Sequence, residues 1–214
     1  MVLRGVNLLQ EDLKDLLHNT SLSHCDVITR LISNERSSRE MFPNLQHLVL
    51  DHLQNLETIV EGIIPRGVCL SKLTTLQVLD CPMLKGAISY AMLRHVKNLE
   101  EIKVSGCRNM SCIIDSGEHE ETVPNLRVLE MNNMVNLRLI CDDGTSVCPA
   151  LQRIEVSCCP ELRKLSLSFS NLSHLKEIRG DINQWDNLRW EDDADDAKNM
   201  FLKYFQAYPR ENCS

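Results

Sequence analysis

Aromatic residues, long apolar runs and excess positive charge are all missing from this 214-residue chain. Aromatic residues make up only 4% of it, so any core must be built mainly from aliphatic side chains. The formal net charge of −7 disfavours nucleic-acid binding and docking on an anionic membrane, because both need a basic surface. No apolar run could cross a bilayer, and no signal peptide is recognisable. We therefore expect a protein of the cytoplasm or nucleus, with neither nucleic acid nor membrane as partner.

Signatures of catalysis and cofactor binding are also absent. The sequence has no glycine-rich phosphate loop, no dinucleotide fingerprint, no nucleophile elbow and no His-Glu-x-x-His pair. Its ten cysteines include no Cys-x-x-Cys pair, which disfavours a zinc ribbon, and a reducing compartment disfavours disulfides. We expect no enzyme and no cofactor, and we assign no catalytic, cofactor-binding or metal-binding residue.

What the chain does contain is a five-position apolar frame that recurs along its length. In the first copy the positions advance by three, two, three and three residues, through Leu45, Leu48, Leu50, Leu53 and Leu56. Further copies, 24 to 28 residues apart, begin at Leu73, Leu99, Leu126 and Leu151, and a decaying copy begins at Leu175 and loses the frame at Gly180. This period and frame are those of leucine-rich repeats.

The spacing predicts how each repeat folds. A step of two, as from Leu48 to Leu50, places both side chains on one face of a strand, and the steps of three turn the chain away. One repeat cannot bury its aliphatic face alone, so repeats must stack with their strands parallel. The predicted fold is an α/β leucine-rich-repeat solenoid with a curved parallel β-sheet on its concave face, an irregular or helical convex side and a C-terminal capping helix.

Three cysteines occupy the same position of the frame. Cys81, Cys107 and Cys159 each follow the strand, where a small buried thiol would face the backbone of the turn. A metal cluster is the alternative interpretation, but whole repeats separate the three residues. We favour the structural role.

The ends of the chain differ from the middle, which predicts three regions: residues 1–41 as irregular repeats or a truncated edge, 42–182 as the regular repeats and 183–214 as a cap. The first region contains a helical stripe, Leu9, Leu13, Leu16 and Leu17. The cap contains a second stripe, Ala197, Met200, Phe201, Tyr204 and Phe205. We expect the second helix to cover the open end of the core, with docking of a partner as the alternative.

Residues between the buried positions of each strand should point outward. The central outward position contains Val49, Gln77, Lys103, Glu130, Glu155 and Arg179, and the position two residues earlier contains His47, Thr75, Glu101, Val128, Arg153 and Glu177. Parallel stacking would place Lys103 beside Glu130 and Glu155 beside Arg179. This ladder of charges is either a solubilising surface or a surface that recognises polar proteins.

Two further motifs link the chain to a known family. Phe42-Pro43-Asn44-Leu45 and Val123-Pro124-Asn125-Leu126 open repeats, and Cys-Pro-x-Leu turns occur at 81–84 and 159–162. Together they resemble the C-terminal repeats of plant nucleotide-binding leucine-rich-repeat disease-resistance proteins, particularly those of the coiled-coil type.

The resemblance implies a protein-recognition module of plant innate immunity that is a fragment or truncated form of a larger receptor. It implies that the ligand is a pathogen effector, a guarded host protein or the upstream switch domain that the repeats hold inactive. The candidate binding residues are those of the charged ladder: Glu101, Lys103, Glu130, Arg153, Glu155 and Arg179. The alternatives are a substrate-recruiting adaptor of a ubiquitin ligase and an extracellular repeat protein.

Overall fold

A computed structural model describes residues 2–4, 18–33, 42–62, 70–115, 121–141, 148–165, 173–189 and 194–207. Its main feature is a nine-stranded parallel sheet, in which each strand pairs with the strand of the next repeat. The strands of this sheet, in spatial order, are β1 Val2–Arg4, β2 Asn19–Ser23, β4 His47–Asp51, β6 Thr75–Leu79, β7 Glu101–Ser105, β9 Val128–Asn132, β11 Arg153–Ser157, β12 Glu177–Gly180 and β13 Phe205–Ala207.

Shorter strands and one short helix form the opposite side of the repeats. β3 Arg30–Ser33 pairs with β5 Thr58–Glu61, and β8 Cys112–Ile114 pairs with β10 Leu139–Cys141, all in parallel. Single bridges from Ile88 to Ile114 and from Leu139 to Lys164 extend this second ladder. Helix α1, Tyr90–Leu93, follows the first of these bridges. The predicted leucine-rich-repeat solenoid, with a parallel sheet and an irregular second side, is therefore confirmed.

The frame sets the register of the main sheet. Leu76, Ile102, Leu129 and Ile154 are each 0% exposed, and neighbouring strands place them directly beside one another. The residues between them alternate to the other face of the sheet, because successive side chains of a strand point to opposite sides. The apolar frame thus builds one continuous aliphatic core that runs through all the described repeats.

The strand of each central repeat ends in a residue with left-handed backbone conformation. These residues have φ angles of 48° to 69°: His24, His52, Asp80, Gly106, Asn133 and Cys158. The backbone N–H of His52 donates to the carbonyl of Leu79, and that of Asp80 donates to Ser105, both at 2.9 Å. The same bond recurs in the neighbouring repeats, so this turn residue extends the hydrogen bonding of the sheet by one step.

The cysteine position of the frame has the structural role that we favoured. Cys81, Cys107 and Cys159 are at most 1% exposed, and each thiol lies 3.2–3.4 Å from the carbonyl two residues earlier. Burial raises the pKa of Cys159 to about 11, which keeps it a thiol at physiological pH. Cys25 makes the same contact with Ser23 at 3.3 Å. The frame therefore reaches back at least one repeat before residue 42.

One cysteine departs from the sequence-based expectation. Cys158 is disulfide-bonded, whereas the seven other cysteines of the described ranges are free thiols. The prediction that a reducing compartment disfavours disulfides is therefore wrong at this position. Cys158 lies in a turn outside the core, where its thiol is accessible for pairing.

Asparagine side chains join consecutive repeats at two corners of the solenoid. At one corner Asn98 donates to the Ser71 carbonyl at 2.7 Å, and Asn125 donates to the Lys97 carbonyl at 2.8 Å. At the other corner Asn136 donates to the Arg108 carbonyl at 2.8 Å. These amides satisfy carbonyl groups of turns, where the backbone has no sheet partner. They explain why asparagine precedes leucine so often in this sequence.

The C-terminal region contains the predicted helix, but the helix ends earlier than the stripe suggested. Helix α2, Ile182–Asn187, and helix α3, Ala194–Leu202, are linked by an ion pair of 2.9 Å from Lys198 to Asp186. Phe201 is buried against the end of the core. Phe205 does not continue the helix: it opens β13, which pairs with β12 and places Phe205 beside Ile178.

Gly180 explains how the sheet continues where the frame is lost. It is buried in β12, and a Cβ at this position would lie 3.3 Å from the Val156 carbonyl and 3.7 Å from the Phe205 ring. The Phe205 ring packs against Trp185 with 4.5 Å between the ring centroids. An aromatic side chain thus fills the space above Gly180.

The predicted stripe from Leu9 to Leu17 lies outside the described residues.

Candidate protein-recognition face

The concave face consists of the outward residues of the main sheet. Its first column contains His47, Thr75, Glu101, Val128, Arg153 and Glu177, and its second contains Val49, Gln77, Lys103, Glu130, Glu155 and Arg179. The six candidate binding residues all lie on this face, in the register that parallel stacking predicts. They fall on four consecutive strands, from β7 to β12.

The chemical character of the concave face changes along the solenoid. Strands β4 and β6 present His47, Val49, Thr75 and Gln77, none of which carries a permanent charge. Strands β7 to β12 present the charged residues. A partner that contacts these two columns would therefore meet uncharged side chains on β4 and β6 and mainly charged side chains from β7 onward.

Three of the charged residues form a closed group. The Lys103 ammonium lies 3.0 Å from Glu101 on its own strand and 3.2 Å from Glu130 on β9. Hydrogen bonds to Glu101 and to Glu130 raise the pKa of Lys103, so it stays charged over the physiological range. Because Lys103 pairs with both carboxylates, these three side chains make the face polar but offer a ligand few free charges.

The expected pairing of Glu155 with Arg179 is replaced by another contact. The two residues are neighbours in the register of β11 and β12, as predicted. However, the Arg179 guanidinium lies 2.7 Å from Glu177, two residues earlier on its own strand. Residues two apart on a strand share one face, so both carboxylates are accessible to this arginine, and the intrastrand contact forms.

Strand β11 consequently presents an acid and a base that no ion pair joins. Within the described part of the chain, neither Arg153 nor Glu155 has a salt-bridge partner, and the buried Nε atom of Arg153 has no hydrogen-bond acceptor. Glu155 also lies beside Glu130, and adjacent like charges on one sheet face repel. Both side chains of β11 would therefore gain from a partner that offers the complementary groups.

A histidine cluster lies where the first strands end. His52 Nδ1 is 2.6 Å from Asp51, His52 Nε2 is 3.7 Å from Asp80, and the His24 ring stacks on the His52 ring at 4.8 Å. The hydrogen bond to Asp51, together with the charges of Asp51 and Asp80, raises the pKa of His52. The sequence did not predict this cluster of His24, His52, Asp51 and Asp80. The cluster forms because the left-handed residues of consecutive repeats lie side by side.

Among the described residues, the side chains of Asp51, His52 and Asp80 are close enough together that they could hold a metal ion. One ligand atom each of Asp51, His52 and Asp80 lies within 4.8 Å of the others. The short Asp51–His52 contact and the attraction between the Asp80 carboxylate and His52 already account for this arrangement. We therefore interpret it as a hydrogen-bonded network at the edge of the concave face.

The fold and this surface define the class of the protein. A stack of leucine-rich repeats that presents polar columns on a parallel sheet is typically a module for protein interaction. Among the described residues, no helix is long and apolar enough to span a membrane.

Comparison with known proteins gives the family. The leucine-rich-repeat model of RPS2-like plant disease resistance proteins matches residues 9–108 and 44–181, so the chain belongs to this family. Disease resistance protein At4g27190 of Arabidopsis thaliana is 31% identical over 188 residues, which cover 87% of this chain and 19% of the relative. Probable disease resistance protein At4g27220 of the same plant is 33% identical over 154 residues, which cover 69% and 16%. The chain thus spans about a fifth of the length of these relatives, and it is a leucine-rich-repeat module of the plant disease resistance type.

Proposed function

We propose that this module recognises a protein ligand of plant immunity through the C-terminal half of its concave face, with Arg153 and Glu155 of β11 at the centre. The observation that supports this is the unpaired state of both side chains within the described residues, beside charged neighbours that are already neutralised. Glu101, Lys103, Glu130 and Arg179 form the surrounding polar rim. The ligand class is a pathogen effector or a host protein that effectors modify.

The energetics of such a site favour specificity. Exposed ion pairs each contribute about 0–1 kcal/mol, so the rim alone would bind weakly. A ligand with an acid facing Arg153 and a base facing Glu155 satisfies two groups that have no ion-pair partner among the described residues. A ligand with the opposite arrangement would place like charges together. The site therefore discriminates between ligands by the order of their charges.

A charge exchange on β11 tests this proposal. In the R153E/E155R variant the net charge is unchanged and the order of the two charges is reversed. The E100R/R127E variant is the matched control: Glu100 and Arg127 form an exposed pair of 3.8 Å just before the strands, outside the concave columns. Both variants should keep the melting temperature of the parent within about 2 °C, because surface changes rarely exceed ±0.5 kcal/mol.

The measurement is quantitative capture of proteins from challenged and unchallenged plant tissue. We expect the parent and the E100R/R127E control to retain a common set of proteins that R153E/E155R loses. Identical sets from all three proteins would show that β11 is not the recognition site. Loss from both variants alike would point to general charge effects instead.

We further propose that the module is the sensor end of a longer receptor and helps to hold a nucleotide switch inactive. The small share of its relatives that the chain spans supports this. An immunoblot of source tissue with an antibody against residues 190–214 tests it. A band several times larger than 24.5 kDa is expected, whereas a single band at 24.5 kDa would mean that the module acts without a switch of its own.

A further inference from the structure

A column of arginines lies on the second side of the solenoid, away from the concave face. It consists of three arginines that each follow a leucine directly, in Leu137-Arg138, Leu162-Arg163 and Leu188-Arg189. We call Arg138, Arg163 and Arg189 the arginine column. Its position is independent of β11, so it is separate from the proposed recognition site.

Backbone hydrogen bonds hold these three residues in register. The N–H of Arg138 donates to the Ser111 carbonyl at 2.9 Å, that of Arg163 to Arg138 at 2.9 Å, and that of Arg189 to Arg163 at 2.7 Å. Neighbouring strands lie about 4.8 Å apart, so the roots of the three side chains are spaced at about this distance. Three cationic side chains therefore emerge from one edge at regular intervals.

Little negative charge in the described structure compensates this column. Arg138 and Arg189 are exposed and have no ion-pair partner among the described residues. Arg163 has a single contact with Glu161, at 3.4 Å, and both side chains are about half exposed, so solvent weakens the attraction. Adjacent like charges in register repel. The arginines of the column therefore repel one another in the absence of a ligand.

The arginine column continues into a groove that also contains basic side chains. Lys85 occupies the equivalent frame position two repeats before Arg138, and both line an open groove of about 660 Å³. Ser111 and Cys112 lie between them. Glu57 and Asp115 are the acidic groups of this groove. The cationic strip therefore extends over the repeats from Lys85 to Arg189, with separated acids along it.

We propose that the arginine column and Lys85 form a docking surface for an acidic polypeptide segment of a partner. Acidic residues three or four apart on a helix have Cβ atoms about 5–6 Å apart, which is close to the spacing of the column. The acids Glu57, Asp115 and Glu161 would repel a continuous phosphate backbone but fit between the discrete carboxylates of a peptide. Charge complementarity therefore favours an acidic polypeptide over a nucleic acid.

Fluorescence anisotropy with a labelled hexaglutamate peptide at low ionic strength tests this surface on the full chain. The R138Q/R163Q/R189Q variant removes the column. R127Q/K176Q/K203Q is the matched control, because it removes three exposed cations located elsewhere. We expect the column variant to bind about tenfold more weakly than the parent, as the loss of three exposed ion pairs predicts, and the control to change by less than about twofold.

Three results would overturn the proposal: no saturable peptide binding to the parent, an equal loss in the control, or tighter binding of a 15-nucleotide oligo-dT than of the peptide.

Melting temperatures give a second, independent readout. If the arginines serve a partner, the column variant should melt at or above the parent temperature at low salt, and the difference should shrink at high salt. A lower melting temperature of the column variant would mean that the arginines stabilise the fold, which contradicts the proposal.

Discussion

At the scale of single residues, the left-handed position after each strand is the most constrained point of the repeat. Five residue types occupy it in six repeats, although a positive φ favours glycine, because the shared N–H bond to the next repeat holds the backbone there. Only Gly106 has no side chain. A Cβ at Gly106 would clash with Asp80 Oδ1, so the lack of a side chain makes room for the aspartate.

We expect Gly106→Ala to lower the free energy of unfolding by about 1 kcal/mol or more, because alanine is strained at a φ of +69° and displaces Asp80. Gly86→Ala is the control, since a Cβ there meets nothing closer than 3.6 Å. Urea denaturation of both variants checks the prediction. Equal stability of the two variants would contradict it.

The His52 network makes stability depend on pH. Because the pKa of His52 is raised above its ordinary value of 6.5, its protonated form stabilises the folded state. This contribution is fully present below about pH 6.5 and is lost as the pH rises through the folded-state pKa. We expect the difference in melting temperature between the parent and His52→Gln to be larger at pH 6 than at pH 8.5. His174→Gln, at an exposed histidine, is the control, and a difference independent of pH would contradict the network.

At the scale of the element, each strand is stabilised mainly by its inward residues. Leu129 is 0% exposed and lies between Ile102 and Ile154 of the neighbouring strands. We expect Leu129→Ala to lower the free energy of unfolding by about 2–5 kcal/mol, since it removes a buried side chain and leaves a cavity. Val135→Ala, at a side chain that is 41% exposed, should change it by less than about 1 kcal/mol. Similar losses in both variants would contradict the assigned register.

The strands of the central repeats could be predicted from the sequence because burial imposes their spacing directly. Any shift of the frame by one residue would expose Leu129 and its equivalents, so the pattern allows one register. β13 could not be predicted in this way, because Phe205 also fits a helical stripe with Phe201. Its strand conformation depends on contacts with Gly180 and Trp185, which lie far from it in sequence.

The sequence predicted which residues lie on the concave face, but not which of them form ion pairs. The columns follow from the alternation of each strand, and all six candidate residues lie on them. Whether Arg179 contacts Glu177 or Glu155 depends on its rotamer, and both carboxylates are within reach of the same side chain. The unpaired state of Glu155 is therefore information that only the structure provides.

At the scale of the whole molecule, each repeat contacts its neighbours and little else. Such a solenoid has local stability, and its terminal repeats lack one neighbour. In the described chain β13 is the last strand of the sheet, held by β12 and by the contact between Phe205 and Trp185.

We expect Phe205→Ala to increase amide hydrogen exchange in β12 and β13 while leaving β4 and β6 unchanged, because these strands lie several repeats away. Hydrogen-exchange mass spectrometry of the parent and the variant measures this. The Leu202→Ala variant, at a side chain that is 47% exposed, is the control. Increased exchange throughout the sheet would show that the molecule unfolds as a single cooperative unit.

The alternation of inward and outward residues has a consequence for how this molecule can diversify. Inward positions determine whether the chain folds, and outward positions determine what it can bind, so the two properties are encoded by separate residues. Substitutions at Arg153 or Glu155 can create new specificities without a compensating change in the core. Lys103 is less free to vary, because its loss leaves Glu101 and Glu130 without their counter-ion. New specificities should therefore arise most readily on β11, where a single nucleotide change alters the ligand and leaves the scaffold intact.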